Sequence, residues 1–148
     1  MQNPNYSVPL EQGAPFVLRP ADPGAGTNLA ILVPNHVRWL IHYLTFTLTT
    51  AVGGAVRRPT FRVDDVTGNF ISFEANATQA AAIARVWNFT PQPAPTGTTI
   101  GGNLYASMPE NILLLPNMTL TMLIQTIAAG DTITNARLYG RRWIERSV

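Results

Sequence analysis

Hydrophobic and polar residues alternate along much of this chain with a period of two, which is typical of β-strands that bury one face. Residues 36–50, HVRWLIHYLTFTLTT, are rich in β-branched and aromatic residues and lack Gly and Pro, so they predict one long strand. The apolar positions of this segment change parity near Tyr43. The change predicts a β-bulge or a change of sheet there; the alternative is a strand covered on both faces, by the core and by another subunit.

Two further segments before residue 90 continue the β pattern. Residues 57–65, RRPTFRVDD, follow a Gly-Gly turn and predict a strand that pairs with the long strand in a meander. Residues 77–89, ATQAAAIARVWNF, suit a helix by their alanines and a strand by their later β-branched and aromatic residues. We predict a strand for the second segment, because the segments around it are β.

The last third of the chain contains two extended segments joined by a turn. Residues 118–125 alternate as a half-buried strand, and residues 133–143 predict the last strand. Residues 129–131, Ala-Gly-Asp, are the expected turn of a hairpin, since Gly tolerates positive φ and Asp can bond its own backbone.

The last predicted strand carries a row of large polar and aromatic side chains on one face. Ala136 and Leu138 share one face of this strand, and the row lies on the other: Arg137, Tyr139, Arg141 and Trp143. Arg, Tyr and Trp are the residue types that most often anchor protein interfaces. The alternatives are an ordinary solvated face and a platform for unpaired bases, and the absence of Lys and of a glycine-spaced RNA motif disfavours the platform.

The first 35 residues differ from the rest in composition. They hold six prolines, which forbid a long helix and interrupt strand pairing. We therefore predict an extended Pro-rich arm over residues 1–35 and an all-β domain, an antiparallel β-sandwich, over residues 36–148. The arm is either a disordered tail or a strap that orders on a neighbouring subunit, and the apolar residues Phe16, Val17 and Leu18 favour the strap.

Composition narrows the classes of function. Only 12% of the 148 residues are charged, all ten basic residues are Arg, and the net charge is +2. This charge is too small to indicate electrostatic capture of nucleic acid, so we predict no direct nucleic-acid partner. There is no Cys for a disulfide or a thiolate metal site. We also expect neither a secretory signal at the start nor a membrane-spanning segment.

The sequence contains none of the common catalytic motifs, which place nucleophiles, bases and glycines at fixed spacings. His36 and His42 would lie about 20 Å apart along an ideal strand, too far to share one metal ion. Asp64 and Asp65 are expected to solvate a polar turn. We therefore predict no enzyme, no cofactor and no metal. Cleavage of a polysaccharide by Asp64, Asp65 or Asp131 is kept as the enzymatic alternative.

Two long segments resemble a known family. Residues 37–65, with FTLTT followed by RRP, and residues 104–145, with LPN followed by GD, resemble small virion proteins of tailed bacteriophages, of the capsid cement or decoration type. The resemblance extends from Val37 to Glu145. It implies a jelly-roll-like β-sandwich and a non-enzymatic accessory role in a virus particle.

The resemblance also implies partners and a location. The expected location is the capsid surface of a virion assembled in the host cytoplasm, without contact with a membrane. The expected partners are the major capsid protein and other copies of this chain, in a homo-oligomer that we predict to be a trimer. The candidate interface residues are Phe16, Val17, Leu18, Arg137, Tyr139, Arg141 and Trp143. The alternative is a tail, baseplate or fibre component that joins virion parts or binds host glycans.

Overall fold

A computed structural model describes residues 13–91 and 102–144 of the chain. Within these two ranges the chain forms ten β-strands and no helix. The strands are β1 (Ala14–Leu18), β2 (Leu29–Leu32), β3 (Val37–Thr49), β4 (Arg58–Asp65), β5 (Gly68–Glu74), β6 (Ala84–Thr90), β7 (Asn103–Ser107), β8 (Ile112–Leu114), β9 (Thr119–Gln125) and β10 (Thr132–Ile144). None of the residues in these ranges belongs to a helix of the length and apolar character that crossing a membrane requires.

The strands form two sheets that pack face to face. In the described residues, a six-stranded sheet runs β1-β10-β3-β6-β7, with β8 also paired to β3, and a four-stranded sheet runs β2-β9-β4-β5. The predicted all-β sandwich is confirmed. One strand pair in these ranges departs from the predicted antiparallel arrangement, because β6 and β7 are parallel.

The core lies between the sheets and takes one face of each. Phe61 of β4 and Phe89 of β6 meet across it, with ring centroids 6.3 Å apart. Trp87 is fully buried, and its indole Nε1 donates a hydrogen bond to the side-chain oxygen of Gln79 at 2.7 Å. The Gln79 amide nitrogen donates in turn to the Leu48 carbonyl at 2.8 Å, so the polar atom of the buried indole is satisfied. Strand β6 confirms the strand prediction for residues 84–89, whereas residues 77–83 of the predicted segment lie outside the strands.

Strand β3 contains a bulge where the sequence predicts one. Its register with β10 shifts between Tyr139 and Gly140, which leaves His42 as the extra residue of β3. The core residues of β3 change parity at this point: Trp39 and Ile41 before it, Leu44, Phe46 and Leu48 after it. The bulge prediction is confirmed, but Tyr43 lies with the outward-facing residues and not with Ile41.

Gly140 lets β10 approach β3 beside the bulge. A Cβ added to Gly140 would lie 2.1 Å from the carbonyl oxygen of Leu40, far inside van der Waals contact. No side chain fits there unless the two strands separate. A second shift in the same register falls between Thr134 and Arg137, where Asn135 has a φ of 54°. Asn tolerates this left-handed region better than most residues.

Two predicted pairings are wrong because the chain crosses from one sheet to the other. Strand β3 belongs to the six-stranded sheet, whereas β4 belongs to the other and pairs with β5 and β9, so the predicted meander does not form. Strands β9 and β10 also lie in different sheets, so their connection is a crossover and not a hairpin. The positive φ in this connection belongs to Thr126 and not to Gly130. A Cβ on Gly130 would lie 3.0 Å from the Cβ of Ala51.

The described part of the predicted N-terminal arm contributes a strand to each sheet. Strand β1 pairs with β10, and β2 pairs with β9. Leu29 and Ile31 of β2 are buried in the core, so this strand adds to the hydrophobic packing of the sandwich. Both strands are extended, as predicted for the arm. Residues 1–12 lie outside the described residues, and the strap role on a neighbouring subunit stays a prediction.

A buried ion pair joins the two crossover connections. The Arg57 and Asp131 side chains are both 0% exposed, with Nε to Oδ2 at 2.8 Å and Nη2 to Oδ1 at 2.9 Å. The Asp131 carboxylate also accepts hydrogen bonds from the backbone N–H groups of Ala51 and Ala128, each at 2.8 Å. The Arg57 Nη1 donates to the carbonyl oxygens of Gly53, at 3.2 Å, and Ala55. The β3–β4 and β9–β10 connections are thereby held together at one end of the sandwich.

Hydrogen bonding sets the charge state of this pair. Burial alone would raise the pKa of the Asp131 carboxyl, but the hydrogen bonds from Arg57, Ala128 and Ala51 outweigh burial and hold that pKa below its ordinary value. The hydrogen bond with Asp131 raises the pKa of Arg57, although burial opposes this. Both groups are therefore charged at neutral pH.

We expect Arg57→Met to destabilise the protein by about 3–5 kcal/mol at pH 7, because it leaves the Asp131 carboxylate buried without its counter-ion. The matched control is Arg62→Met, since Arg62 and Asp64 form an ion pair that is 38% and 21% exposed. The control should cost less than about 1 kcal/mol. Urea unfolding of the three proteins measures both changes, and equal losses would contradict the role given to the buried pair.

The same pair predicts how stability depends on pH. A folded-state pKa below the unfolded value means that the contribution of Asp131 is fully present above its ordinary pKa, near pH 4, and is lost as pH falls toward the lowered value. In Arg57→Met the buried Asp131 carboxylate loses its counter-ion, so it takes up a proton at higher pH than in the wild type. The difference in unfolding free energy between the two proteins should therefore narrow as pH falls, and urea unfolding over a series of pH values measures it.

We expect Gly140→Ala to destabilise the protein by about 2–3 kcal/mol, because the new methyl group forces β10 away from β3. The matched control is Gly24→Ala, where the added Cβ would meet only the Thr27 Oγ1 at 3.8 Å. It should change stability by no more than about 0.5 kcal/mol. Thermal or urea unfolding of the three proteins measures both changes in stability. An unchanged stability of Gly140→Ala would show that β10 and β3 separate there at little cost.

Candidate interaction surface

The two sheets differ in charge. The strands of the six-stranded sheet contain five Arg residues and no Asp or Glu; these are Arg38, Arg85, Arg137, Arg141 and Arg142. The strands of the four-stranded sheet contain two Arg and three acidic residues, which are Arg58, Arg62, Asp64, Asp65 and Glu74. Two ion pairs form there, Arg58 to Glu74 at 3.0 Å and Arg62 to Asp64 at 2.9 Å. Within the described residues, the positive charge of the strands is therefore concentrated on the six-stranded sheet.

The row predicted on the last strand does lie on the outer face of the six-stranded sheet. Ala136 and Leu138 are buried in the core, and the side chains of the row alternate with them. Arg137 is exposed, whereas Tyr139, Arg141 and Trp143 are half-buried. The row is therefore partly covered by its neighbours in the same sheet. Its role as an interface stays a prediction.

Strand β1 lies beside this row, so the structure brings together the two predicted groups of interface residues. Val17 pairs with Tyr139 and points outward, with 53% of its surface exposed. Phe16 and Leu18 point the other way and pack against the core. The Phe16 ring lies 5.4 Å from the Trp39 ring, centroid to centroid. Of the three apolar residues of the arm, Val17 alone is displayed on the outer face.

Backbone close to Gly13 covers the end of the row. The Arg141 Nη1 donates a hydrogen bond to the Gly13 carbonyl at 3.2 Å. A Cβ on Gly13 would lie 2.7 Å from the indole Cε2 of Trp143, and Gly13 has a φ of 68°. Glycine is therefore required at this position on both grounds. Arg141 and Trp143 thus fasten the start of β1 to β10, and Arg137 and Tyr139 remain as the more accessible part of the row.

Tyrosines extend the surface across the sheet. The strand register places Tyr139 beside Tyr43 of β3, and places Tyr105 of β7 beside Asn88 of β6. The rings of Tyr43 and Tyr139 lie 5.4 Å apart. The Tyr43 hydroxyl donates a hydrogen bond to the Asn88 Oδ1, which also accepts one from the Thr45 Oγ1 at 3.1 Å. The outer face therefore carries an aromatic band that runs across four adjacent strands.

The polar atoms at the centre of this band are satisfied within the chain. Burial raises the pKa of the Tyr43 hydroxyl, and Tyr105 and Tyr139 add to this increase against a lowering by the Thr45 hydrogen bond. Tyr43 is therefore a neutral donor at physiological pH. The Asn88 amide nitrogen donates to the Leu104 carbonyl at 3.4 Å. These bonds stiffen the band and leave it to offer aromatic surface more than open donors and acceptors.

A notch opens on the outer face next to β1. It has a volume of about 360 Å³ and is lined by Pro15, Phe16, Val17, His42, Tyr139 and Gly140. The extra residue of β3, His42, lies in its lining, so the notch lies at the bulge. The notch combines apolar walls with one imidazole and one phenol, which is the composition of many small recognition pockets.

A second depression lies at another edge of the sandwich. It measures about 370 Å³ and lies between β5 and β8, with walls that include Ile71, Phe73, Leu113 and Leu115. Leu113 and Leu115 are 44% and 42% exposed. The walls are mostly apolar, so this depression offers hydrophobic contact but few polar groups to orient a partner.

The acidic residues considered for catalysis have structural roles. Asp65 accepts hydrogen bonds from the Thr67 backbone and hydroxyl and from the Gly68 backbone, which confirms its role in a turn. The hydrogen bonds with Thr67 lower the pKa of Asp65. Asp64 pairs with Arg62, and Asp131 is sealed in the core by Arg57. Residues 13–91 and 102–144 contain no group of three or more His, Asp or Glu side chains placed to hold a metal ion.

Several residues of this surface are absent from the sequence-based set. Tyr43, Asn88 and Tyr105 come from β3, β6 and β7, and β3 and β6 are neighbours in the sheet although two strands of the other sheet lie between them in the chain. Their alignment depends on the register of non-local pairs, which a single sequence does not display. His42 could have been identified, because the parity change of β3 already indicates the bulge at which it sits.

Comparison with protein-family models, with curated proteins and with solved structures finds no significant match to this chain in any of the three.

Proposed function

We propose that the chain is a structural virion protein, a capsid cement or decoration protein that binds and stabilises the shell formed by the major capsid protein. The observation that carries the proposal is the outer face of the six-stranded sheet. Its strands supply Arg and Tyr without any carboxylate, around a notch with apolar walls. Such a composition is enriched where protein surfaces are covered by a partner.

The distribution of charge supports a binding role for one sheet in particular. On the four-stranded sheet, Arg58 and Arg62 each have an acidic partner on the same face. The strands of the six-stranded sheet contain no acidic residue, and Arg141 there donates a hydrogen bond to the Gly13 carbonyl. A partner that supplies carboxylates or carbonyl oxygens would contact Arg137, the exposed Arg of the row, and a shell protein presented in many copies is a partner of this kind.

Self-association belongs to the same proposal. A homo-oligomer, which we propose to be a trimer, would present several copies of this face to the shell at once. Modest affinity per contact is then multiplied by valency. Gly13, which precedes β1, lies beside the Arg and Tyr row, where its carbonyl accepts a hydrogen bond from Arg141.

The alternative is a tail, baseplate or fibre component that joins virion parts or binds host glycans. The band of three tyrosines favours it, since aromatic rings can stack on sugars. Against it, the amide of Asn88, the central polar group of the band, is already hydrogen-bonded by Tyr43, Thr45 and Leu104. The same surface therefore fits a protein partner better than a sugar.

The copy number of the chain in purified virus particles distinguishes a location on the capsid from one in the tail, baseplate or fibre. For a cement protein we expect a ratio to the major capsid protein near one, or a simple fraction of it, because the shell repeats its binding site by symmetry. Quantitative mass spectrometry of purified virus particles gives the ratio. A ratio far below this places the chain in the tail or portal, and absence from the particles contradicts both virion locations.

We expect Arg137→Ala to weaken binding of the purified protein to particles that lack it by about fivefold or more, because Arg137 is the exposed Arg of the row. The matched control is Arg62→Ala, which removes the same charge from the four-stranded sheet. Co-sedimentation with particles measures both affinities. Equal affinities for the two variants would show that the six-stranded sheet does not face the shell.

A further inference from the structure

The depression between β5 and β8 is a cleft that reaches the core between the two sheets. It has a volume of about 370 Å³, and its walls include Ile71, Phe73, Leu113 and Leu115. Ile112 also lines the cleft and is only 3% exposed, as part of the core. An aliphatic side chain that entered the cleft would therefore contact the core directly and remove apolar surface of both walls from water.

One wall of this cleft is the free edge of a sheet. Among the described residues, β5 is the last strand of the four-stranded sheet and pairs with β4 alone. Ile71 and Phe73 are half-buried and pack against the core, whereas Ser72 and Glu74 are exposed. A neighbouring strand lies about 4.8 Å away and points every second side chain to the same face of the sheet. A strand added beside β5 would therefore place alternate side chains in the cleft, next to Ile71 and Phe73.

Glu110 places a carboxylate at the mouth of the cleft. It lines the cleft, is exposed, and lies in the connection between β7 and β8. The other acidic residues in the described ranges accept a hydrogen bond or form an ion pair within the chain; these are Asp22, Asp64, Asp65, Glu74 and Asp131. Of the acidic residues that the structure describes, Glu110 alone forms neither. The cleft therefore combines apolar walls with one carboxylate that a basic side chain can approach.

We propose that this cleft is a docking site for an extended segment of another protein, which pairs with the free edge of β5. Two aliphatic side chains on one face of that segment would fill the cleft, and a basic side chain on the same face would meet Glu110. Main-chain hydrogen bonds to β5 would supply affinity, and the side chains in the cleft would supply specificity. Charge complementarity with Glu110 sets the sign of the third side chain.

The docking site is separate from the surface on which the proposed function rests. The cleft shares no lining residue with the notch beside β1, and it lies at the edge of the sandwich and not on the outer face of the six-stranded sheet. The inference therefore goes beyond the proposed function, because it adds a second binding site for a partner of different chemistry.

An apolar small molecule would use fewer features of the cleft than an extended segment. It would contact the walls but leave the N–H and C=O groups on the free edge of β5 without a protein partner. A fatty acid would also bring a carboxylate of the same sign as Glu110. An extended segment with a basic side chain uses the apolar walls, the sheet edge and the carboxylate together.

The test uses the full chain and labelled heptapeptides in fluorescence anisotropy. The first peptide is Thr-Ile-Thr-Leu-Thr-Arg-Thr, in which alternate residues supply the two aliphatic side chains and the basic one. The second has Glu in place of Arg, and the third has Ser in place of both Ile and Leu. We expect the second and third to bind about tenfold more weakly than the first or not at all, since one reverses the charge and the other loses the aliphatic side chains. Binding of either as tightly as the first would overturn the assigned chemistry.

N-methylation of the first peptide tests the pairing with β5. The N–H groups of successive residues in a strand point to opposite sides, so only one of two adjacent N–H groups faces β5. One peptide is methylated at the nitrogen of Leu and another at the nitrogen of the Thr before it. We expect one of the two to bind about tenfold more weakly than the other. Equal binding of the two would overturn the strand pairing.

A charge reversal places the binding in the cleft. In Glu110→Arg the preference should invert, so that the Glu peptide binds about tenfold more tightly than the Arg peptide. A loss of folded protein does not invert a preference. Unchanged preference in this variant would overturn the contact with Glu110.

A second pair of variants tests the apolar wall. Leu115→Asp should weaken binding of the first peptide about tenfold. The matched control is Val56→Asp, at a site 55% exposed in the β3–β4 connection, which should leave binding unchanged. Equal effects of the two variants would overturn the assignment to the cleft.

Two further measurements separate the occupant and the proposed function. Sedimentation velocity of the wild type and Glu110→Arg shows whether a second copy fills the cleft, and self-association that is lost in the variant would overturn the assignment to another protein. If the chain is missing from particles but the peptides behave as expected, the cement role fails and the docking site stands. If the chain has the copy number of a cement protein but no peptide binds, the docking site fails and the cement role stands.

Discussion

The close approach of β10 to β3 at Gly140 is the constraint on which both faces of the six-stranded sheet depend. The Leu40 carbonyl occupies the space that a side chain at Gly140 would need, and β3 takes in the extra residue His42 at the same level. The bulge reverses the parity of β3, so that apolar side chains reach the core on both sides of it. Without this reversal, Leu44 and the apolar residues after it would face outward.

The same local geometry shapes the outer face. The bulge turns both His42 and Tyr43 away from the core, which brings Tyr43 beside Tyr139 and places His42 in the wall of the notch. A requirement of core packing therefore produces the features that make this face suitable for binding. Bulges are often found where a side chain is redirected toward a partner or a ligand. In this sandwich the one extra residue of β3 both directs apolar side chains into the core and shapes the outer face.

The Arg57–Asp131 pair makes a complementary contribution at one end of the sandwich. Chains that cross between sheets leave backbone groups in the crossover connections without ladder partners. Asp131 accepts from the backbone N–H groups of Ala51 and Ala128, and Arg57 donates to the carbonyls of Gly53 and Ala55. The pair thus satisfies main-chain groups from both crossovers. Its value lies in this hydrogen bonding more than in Coulombic attraction, since burying two charges is itself costly.

Periodicity predicts much of this fold because it reports burial directly. The long strand β3, its bulge, the strands β9 and β10, and the outward row on β10 all follow from which residues alternate. Which strands pair with each other does not follow from this alternation, because the local sequence does not show that β3 and β4 belong to different sheets. Alternation along β1 separates Val17 from Phe16 and Leu18, but the pairing of β1 with β10 decides which of the two faces turns outward. Register likewise aligns Tyr43 with Tyr139, which lie far apart in the chain.

The choice of residues on the outer face fits the proposed function, in which the chain must remain in solution before it joins a larger assembly. A face of exposed Leu and Phe would bind a partner strongly but would also drive aggregation of the free chain. Arg and Tyr keep a polar tip in water and still bury a large surface on contact. The hydrogen bonds among Tyr43, Asn88 and Thr45 hold part of this surface in place beforehand, which reduces the entropy lost on binding. Under the proposed function, such a face would bind moderately in one copy and firmly only when many copies meet a repeating surface.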